Sequence, residues 1–525
     1  MLEVSKPMDH ELFPRMDSNN EIDRRSFLGT MSVAAAAIGS GLTPADAANA
    51  DATPTQTPGP AKDQTIGIQI GSISFLDEGV EKVLDILQER AHINTLFVAT
   101  FTYGHGIAGR QLAGHPFPDH GVKDYNDNFH GGNYATPHPD YYKDTIFKNL
   151  KAPDHGNVDI LEMVIPAAKK RGIKTFTWSE DVWRRDVPGV EKALAVDFHG
   201  RQAQDTLCFN NPEYFNFLIA LHEDFARSYD IDGVMWGCEK QGAFNNAFES
   251  IHNSNGNDPS RVTCFCQFCQ EKGKQRGIDF ERVKEGFQAL ESWVRAAKAG
   301  ERPPDGYWVT FLRLLYRYPE LLAWESLWHD SLRETKRAIY QRVKSIKPTA
   351  QVGWHEWHAH GFSPFFRAQL DLAALAQFSD YLKMTVYHNL GGTRMATYMD
   401  SVTKTIYRDF PMDEALELEY RIMNYRERGY EQLPYTGLSP DYVYRETKRC
   451  VASVAGTKTQ IWPGIDMGIP IREDYSKVTQ QGVKDVTLAA YRGGAQGLVI
   501  SRKYSETTLE NLGAVGEALR ELKLI

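Results

Sequence analysis

Ile231-Asp-Gly-Val-Met-Trp-Gly-Cys-Glu239 is an apolar run ending on a carboxylate, and Cys264-Phe-Cys266-Gln-Phe-Cys269 follows it. The run is short, β-branched and aromatic in character, and bounded by Asp and Gly, which reads as a buried strand that delivers Glu239 to its C-terminal end. Outward from it the same unit recurs: a short apolar strand, a polar and aromatic loop, then an amphipathic helix. The strands fall at Thr65–Ile70, Thr95–Thr100, Lys174–Trp178, Gly233–Trp236, Gln351–Trp354, Tyr381–Val386, Gln460–Trp462 and Gly497–Ile500. Helices are expected over Gly79–Arg90, Asp159–Arg171, Pro212–Tyr229, Trp328–Ile346 and Tyr442–Ala455. Asn211-Pro212 is a cap followed by Pro at the first helical turn. Eight strands alternating with helices predict an α/β fold, a (β/α)8 barrel. An open doubly wound sheet is the alternative, but no Gly-rich phosphate loop follows the first strand. Long connections after strands two, four and six (103–157, 240–325 and 389–440) sit on the C-terminal side, where loops shape a cleft.

The 525 residues suffice for one large barrel, and a net charge of −9 without a basic stripe excludes a phosphate-neutralising nucleic-acid binder. Six cysteines in such a length do not make a disulfide scaffold. Arg24-Arg25-Ser26-Phe27-Leu28, an Ala-rich run from Met31 to Leu42 and small-residue sites at Ala45-Asp46-Ala47 and Ala48-Asn49-Ala50 form an export signal over residues 1–50. The paired arginines point to the twin-arginine translocation machinery and a periplasmic or secreted destination. The apolar run is too short to span a bilayer well. Residues 51–63 read as a Pro/Thr linker, and 64–525 as a single barrel with insertions.

The expected strand ends carry a consistent set of side chains: Trp178, Glu180, Asp181 and Trp183; Trp236 and Glu239; Trp354, His355, Glu356, Trp357 and His358; Tyr387 and His388; Trp462 and Asp466; Arg502, Lys503 and Tyr504. Six of the ten tryptophans lie there. Indole faces stack on the C–H faces of sugar rings and carboxylates bind hydroxyls, so the mixture favours a carbohydrate. Trp178, Glu180, Trp236, Trp354, His355, Tyr387, His388, Trp462, Lys503 and Tyr504 are the expected binding residues. Glycosidic cleavage needs two carboxyl groups across the scissile bond. Glu239 is expected to be the acid, with Trp236 and its strand raising its pKa by desolvation. Asp466 is the first choice for its partner, and Glu356 competes for that role. Glu180 and Asp181 fit substrate contacts or salt bridges better.

Cys264, Cys266 and Cys269 supply three soft ligands, and structural zinc wants four. Cys208 and Cys238 are both available as the fourth, and a disulfide within the cluster is the alternative. No organic cofactor is implied. His355, Glu356, His358, His360 and His388 keep open a metal-dependent sugar isomerase or metallohydrolase, although the H-E-x-x-H spacing is absent. A non-catalytic carbohydrate-binding barrel is a third reading.

With these residues the chain resembles the barrel glycoside hydrolases, in particular the family 42 β-galactosidases. The resemblance rests on Glu239, on Cys264, Cys266 and Cys269, and on Leu207-Cys208-Phe-Asn-Asn-Pro-Glu-Tyr214. It implies that Glu239 is the catalytic acid after strand four and that Cys208 is the fourth zinc ligand. Cys238 stands where clan members carry Asn, and no Glu follows strand seven, where Asp466 is the nearest carboxylate. A relative in an uncharacterised glycosidase group fits these departures better than a β-galactosidase, and sugar identity does not carry over.

Overall fold

The structure is a computed structural model that describes residues 64–103, 109–111, 115–126, 130–180, 186–250, 258–468, 475 and 477–525. The export signal over 1–50 and the linker over 51–63 lie outside the described residues, as do Asp181 and Trp183.

Eight parallel strands close into a barrel: β1 Thr65–Ile70, β2 Thr95–Tyr103, β3 Lys174–Glu180, β4 Gly233–Gly237, β5 Gln351–Glu356, β6 Tyr381–Thr385, β7 Gln460–Asp466 and β8 Gly497–Ser501. β1 pairs with both β2 and β8, which seals the ring. The helices expected between the strands are present. Asp159 caps Ile160–Lys170 through the N–H groups of Leu161 and Glu162, and Asn211 caps Pro212–Ser228 through that of Glu213. The helix expected from Trp328 begins earlier, at Glu320, because Leu321, Trp324 and Leu327 bury a further apolar stripe. The connection after β4 holds the helices Ala243–Ala247, Gln267–Gln275, Phe280–Ala299 and Tyr307–Arg317; that after β6 holds Asn389–Val402 and Met412–Met423. Among the described residues, no helix is long and apolar enough to cross a membrane.

Side chains alternate in and out along each strand. Phe97, Ala99, Phe176, Trp178, Met235, Tyr381, Trp462 and Val499 form one cluster, separate from the main core, that fills the barrel. Trp462 stacks on Tyr381 with ring centroids 3.9 Å apart. Rings this large fit because the neighbouring strand offers glycine: a methyl group on Gly353 would lie 2.5 Å from the Tyr381 ring. On the other face, Trp236 and Trp354 sit side by side in the β4–β5 register and pack into the layer between barrel and helices.

Candidate active site

Toward the C-terminal end the inward positions change from rings to polar groups: Gln69 on β1, Glu180 on β3, His355 on β5, Lys383 and Thr385 on β6, and Ser501 on β8, all buried. Glu239 continues the inward parity of Met235 and Gly237, two residues past β4, and its side chain is 32% exposed. It is an accessible carboxylate above this layer.

A chain of hydrogen bonds fixes Glu239. The ammonium of Lys383 donates to Nδ1 of His355 and to the Tyr387 hydroxyl, each at 3.1 Å. With Nδ1 accepting, His355 carries its proton on Nε2, which lies 3.2 Å from Oε1 of Glu239. Burial, helped by the Lys383 charge, pushes His355 down to about 4, so the ring is neutral near pH 7. Burial also pushes Lys383 down to about 7, against the pull of Glu239 and Glu180. Burial opposes ionisation of Glu239, but the His355 bond and the charges of Arg394 and Lys383 outweigh it and hold the carboxyl well below its usual range. The expected raising of its pKa by Trp236 does not occur, because that indole faces the helix layer. Glu180 accepts the indole N–H of Trp178 at 2.6 Å and lies against Gly237, at the foot of the Glu239 loop.

Several expected site residues have other work. Both oxygens of Asp466 are occupied: they accept the backbone N–H groups of Asn389 (3.1 Å) and Leu390 (2.8 Å), and His388 stands 2.8 Å away. Burial opposes its charge, yet His388 and those N–H groups keep it low, as for a carboxylate at a helix N-terminus. Asp466 and His388 therefore anchor helix Asn389–Val402. Glu356 has the opposite parity to His355 and pairs with Lys336 of the long outer helix at 2.5 Å, away from the mouth. Trp178, Trp236, Trp354 and Trp462 are at most 1% exposed, so none presents a face to a sugar; strand-end position gave their depth, and parity gave their direction. Lys503 donates to the carbonyls of Gly109 and Arg110, and Tyr504 is buried against His120. His358 meets Tyr442 and Arg394, and His360 meets Glu446, so the histidines around β5 and β6 do not converge on one point.

Sequence reasoning missed Lys383 and Arg394. Lys383 left a signal: a charged residue within the apolar strand Tyr-Leu-Lys-Met-Thr, on the parity of Tyr381. Arg394 left none, since it lies in the second turn of an ordinary-looking helix.

Cys208, Cys264, Cys266 and Cys269 bring their sulfurs within 4.8 Å of one another. Sγ of Cys208 lies 3.4 Å from that of Cys269 and 3.5 Å from that of Cys266, and all four are free thiols rather than disulfides. The N–H of Val196 and the amide of Asn210 point at Cys264 and Cys269, as outer groups do around thiolate ligands. Four soft donors in one closed, largely buried cluster fit a structural metal ion. Cys238 stands outside it.

No protein-family model and no curated protein matches the chain. Solved structures resemble it in fold. The β-galactosidase from the psychrophilic Marinomonas ef1 aligns at 12% identity and a TM-score of 0.48, covering 87% of this chain and 59% of its own. The β-galactosidase from the haloarchaeon Halorubrum lacusprofundi aligns at 13% and 0.47, covering 87% and 58%. The α-L-fucosidase isoenzyme 2 from Paenibacillus thiaminolyticus aligns at 11% and 0.44, covering 88% and 49%. The chain thus spans about half to three-fifths of the length of these proteins.

Proposed function

We propose that the chain is a glycoside hydrolase whose reacting carboxyl groups are Glu239 and Glu180. The observation that carries this reading is the accessible, charged Glu239 at the barrel mouth, held by neutral His355 with Lys383 behind it. A carboxylate kept ionised in this way suits attack on an anomeric carbon or activation of water. Asp466 and Glu356 are held away from Glu239 by other partners, and Glu180, which lies against Gly237 at the foot of the Glu239 loop, is the carboxyl group assigned to pass a proton to the leaving oxygen. His355 orients Glu239, and the Lys383 bond to Nδ1 keeps His355 in the donating tautomer while Tyr387 steadies Lys383. The diverging histidines weigh against the metal-dependent isomerase or metallohydrolase. The family 42 resemblance is retained for the cysteine element and for the place of Glu239 after β4, but the acid role it implies for Glu239 gives way to that of nucleophile or base, because the carboxyl is held ionised.

The test is hydrolysis of a broad panel of aryl-glycosides and oligosaccharides by wild type and Glu239→Gln. A drop of about 10²- to 10⁴-fold in turnover with unchanged melting supports the reading. Equal cleavage by both proteins would sink it.

The metal of the cysteine cluster is proposed to be zinc, bound by Cys208, Cys264, Cys266 and Cys269, and structural rather than reactive because no open position remains. Elemental analysis should find about one equivalent of zinc per chain, and Cys269→Ser should lose it together with thermal stability. Export by the twin-arginine route, with residues 1–50 as the signal, rests on Arg24-Arg25 and the apolar run behind them.

A further inference from the structure

Arg394 is half-buried on helix Asn389–Val402, which leaves the end of β6. Its guanidinium donates to Nδ1 of His358 at 3.1 Å and lies over the Tyr387 ring, 5.7 Å from the centroid. Nε2 of His358 is in turn 2.8 Å from the buried Tyr442 hydroxyl, which fixes the imidazole under the arginine. Among the described residues the bond to His358 is the one hydrogen bond of Arg394, and no carboxylate stands within salt-bridge reach of it. A guanidinium has five N–H donors. Neighbouring arginines are satisfied differently: Arg367 and Arg449 both pair with Glu446, at 2.7 and 2.8 Å, and Arg502 pairs with Glu506 at 2.9 Å. Arg394 is held from one side and left open on the other. It lies over Tyr387, whose hydroxyl meets Lys383 in the layer under Glu239, so it belongs to the mouth, and Glu239, Tyr387, Arg502 and Asp466 are the charged and phenolic groups that act on it. Lys383 adds a second cation beneath.

A half-buried guanidinium with open donors favours an anion that can meet it with two parallel bonds over a neutral hydroxyl, which offers it no bidentate acceptor. We propose that the site takes an anionic glycan, a sugar chain bearing a carboxylate or sulfate group, with Arg394 binding that group beside Glu239. This names the substrate class of the glycosidase reading and rests on it.

The experiment pairs binding with cleavage, using oligogalacturonate and alginate oligosaccharides as carboxylate probes, carrageenan oligosaccharides as sulfate probes, and cello- and galacto-oligosaccharides as neutral ones. Wild type, Arg394→Lys and Arg394→Gln are compared, with melting curves to verify folding. The expected result is that an anionic probe binds wild type and loses about 10- to 100-fold in affinity with Arg394→Gln. Arg394→Lys should recover part of that loss, since it keeps the charge without the fork. Which anionic series binds identifies the group. Neutral probes that bind or react better than every anionic one, with Arg394→Gln indifferent, overturn the inference and leave the glycosidase reading standing. Arg394-dependent binding of an anionic probe without cleavage upholds the anion site and overturns the glycosidase reading. Failure of all probes to bind overturns the anion site.

Discussion

The two halves of the barrel interior hang on the same strands and obey opposite rules. In the lower half Phe97, Phe176, Tyr381 and Trp462 fill space over glycines of neighbouring strands. In the upper half Glu180, His355, Lys383 and Ser501 fill equivalent inward positions with groups that resist burial. The lower half stabilises by packing. The upper half costs stability, because a buried ammonium and imidazole have lost hydration that their hydrogen bonds replace only in part. Gly464, which gives way to the Lys383 side chain, sits at the boundary between the two. The rings are a floor, and the reactive layer is built on it at a local loss.

Three substitutions separate the floor, the reactive layer and the outer layer. The largest effect is expected in the floor. Phe176→Ala removes a ring wedged over Gly233 and should cost about 3–5 kcal/mol in denaturant unfolding. The molecules still folded should keep their activity, and a small stability loss with a large loss of turnover would mean that the halves are not separable. The next effect is the pH slope from Lys383. Its folded pKa of about 7 lies below the free value of 10.5. Between these values the unfolded chain binds the extra proton, so stability rises with pH through the window and the penalty is fully present below pH 7. Lys383→Met has no such proton and should lose that slope, as urea midpoints at pH 6.5 and 9.5 would reveal. The smallest effect belongs to the outer layer. Trp354→Phe should cost roughly 1–2 kcal/mol and leave KM unchanged. A raised KM without loss of stability would return that indole to the substrate.

Much of this was legible in the chain. All eight strands could be read because strands buried on both faces are short apolar runs bounded by Gly, Pro and Asp. Glu239 could be read because it closes such a run. The four outward or floor tryptophans were misread because nearness to a strand end says nothing about which face a residue takes. Glu356 illustrates it: one position after His355, it faces Lys336 and the helices instead of the mouth. Asp466 was aimed inward as expected, but its use as an anchor for the helix at Asn389 depends on contacts 76 and 77 residues away in sequence. Arg394 depends on His358 in the same way.

The seam of the barrel has a consequence for how the protein comes into being. β1 completes its pairing only with β8, and the Ser501 hydroxyl bonds Gln69 across a separation of 432 residues. At about 5–20 residues per second, a ribosome needs on the order of 20 to 90 s to bridge that interval. Throughout it the first strand lacks one neighbour and the ring stays open, with water able to reach the ammonium of Lys383. Closure therefore waits for the eighth strand to be made, and the dehydration of the reactive layer waits with it.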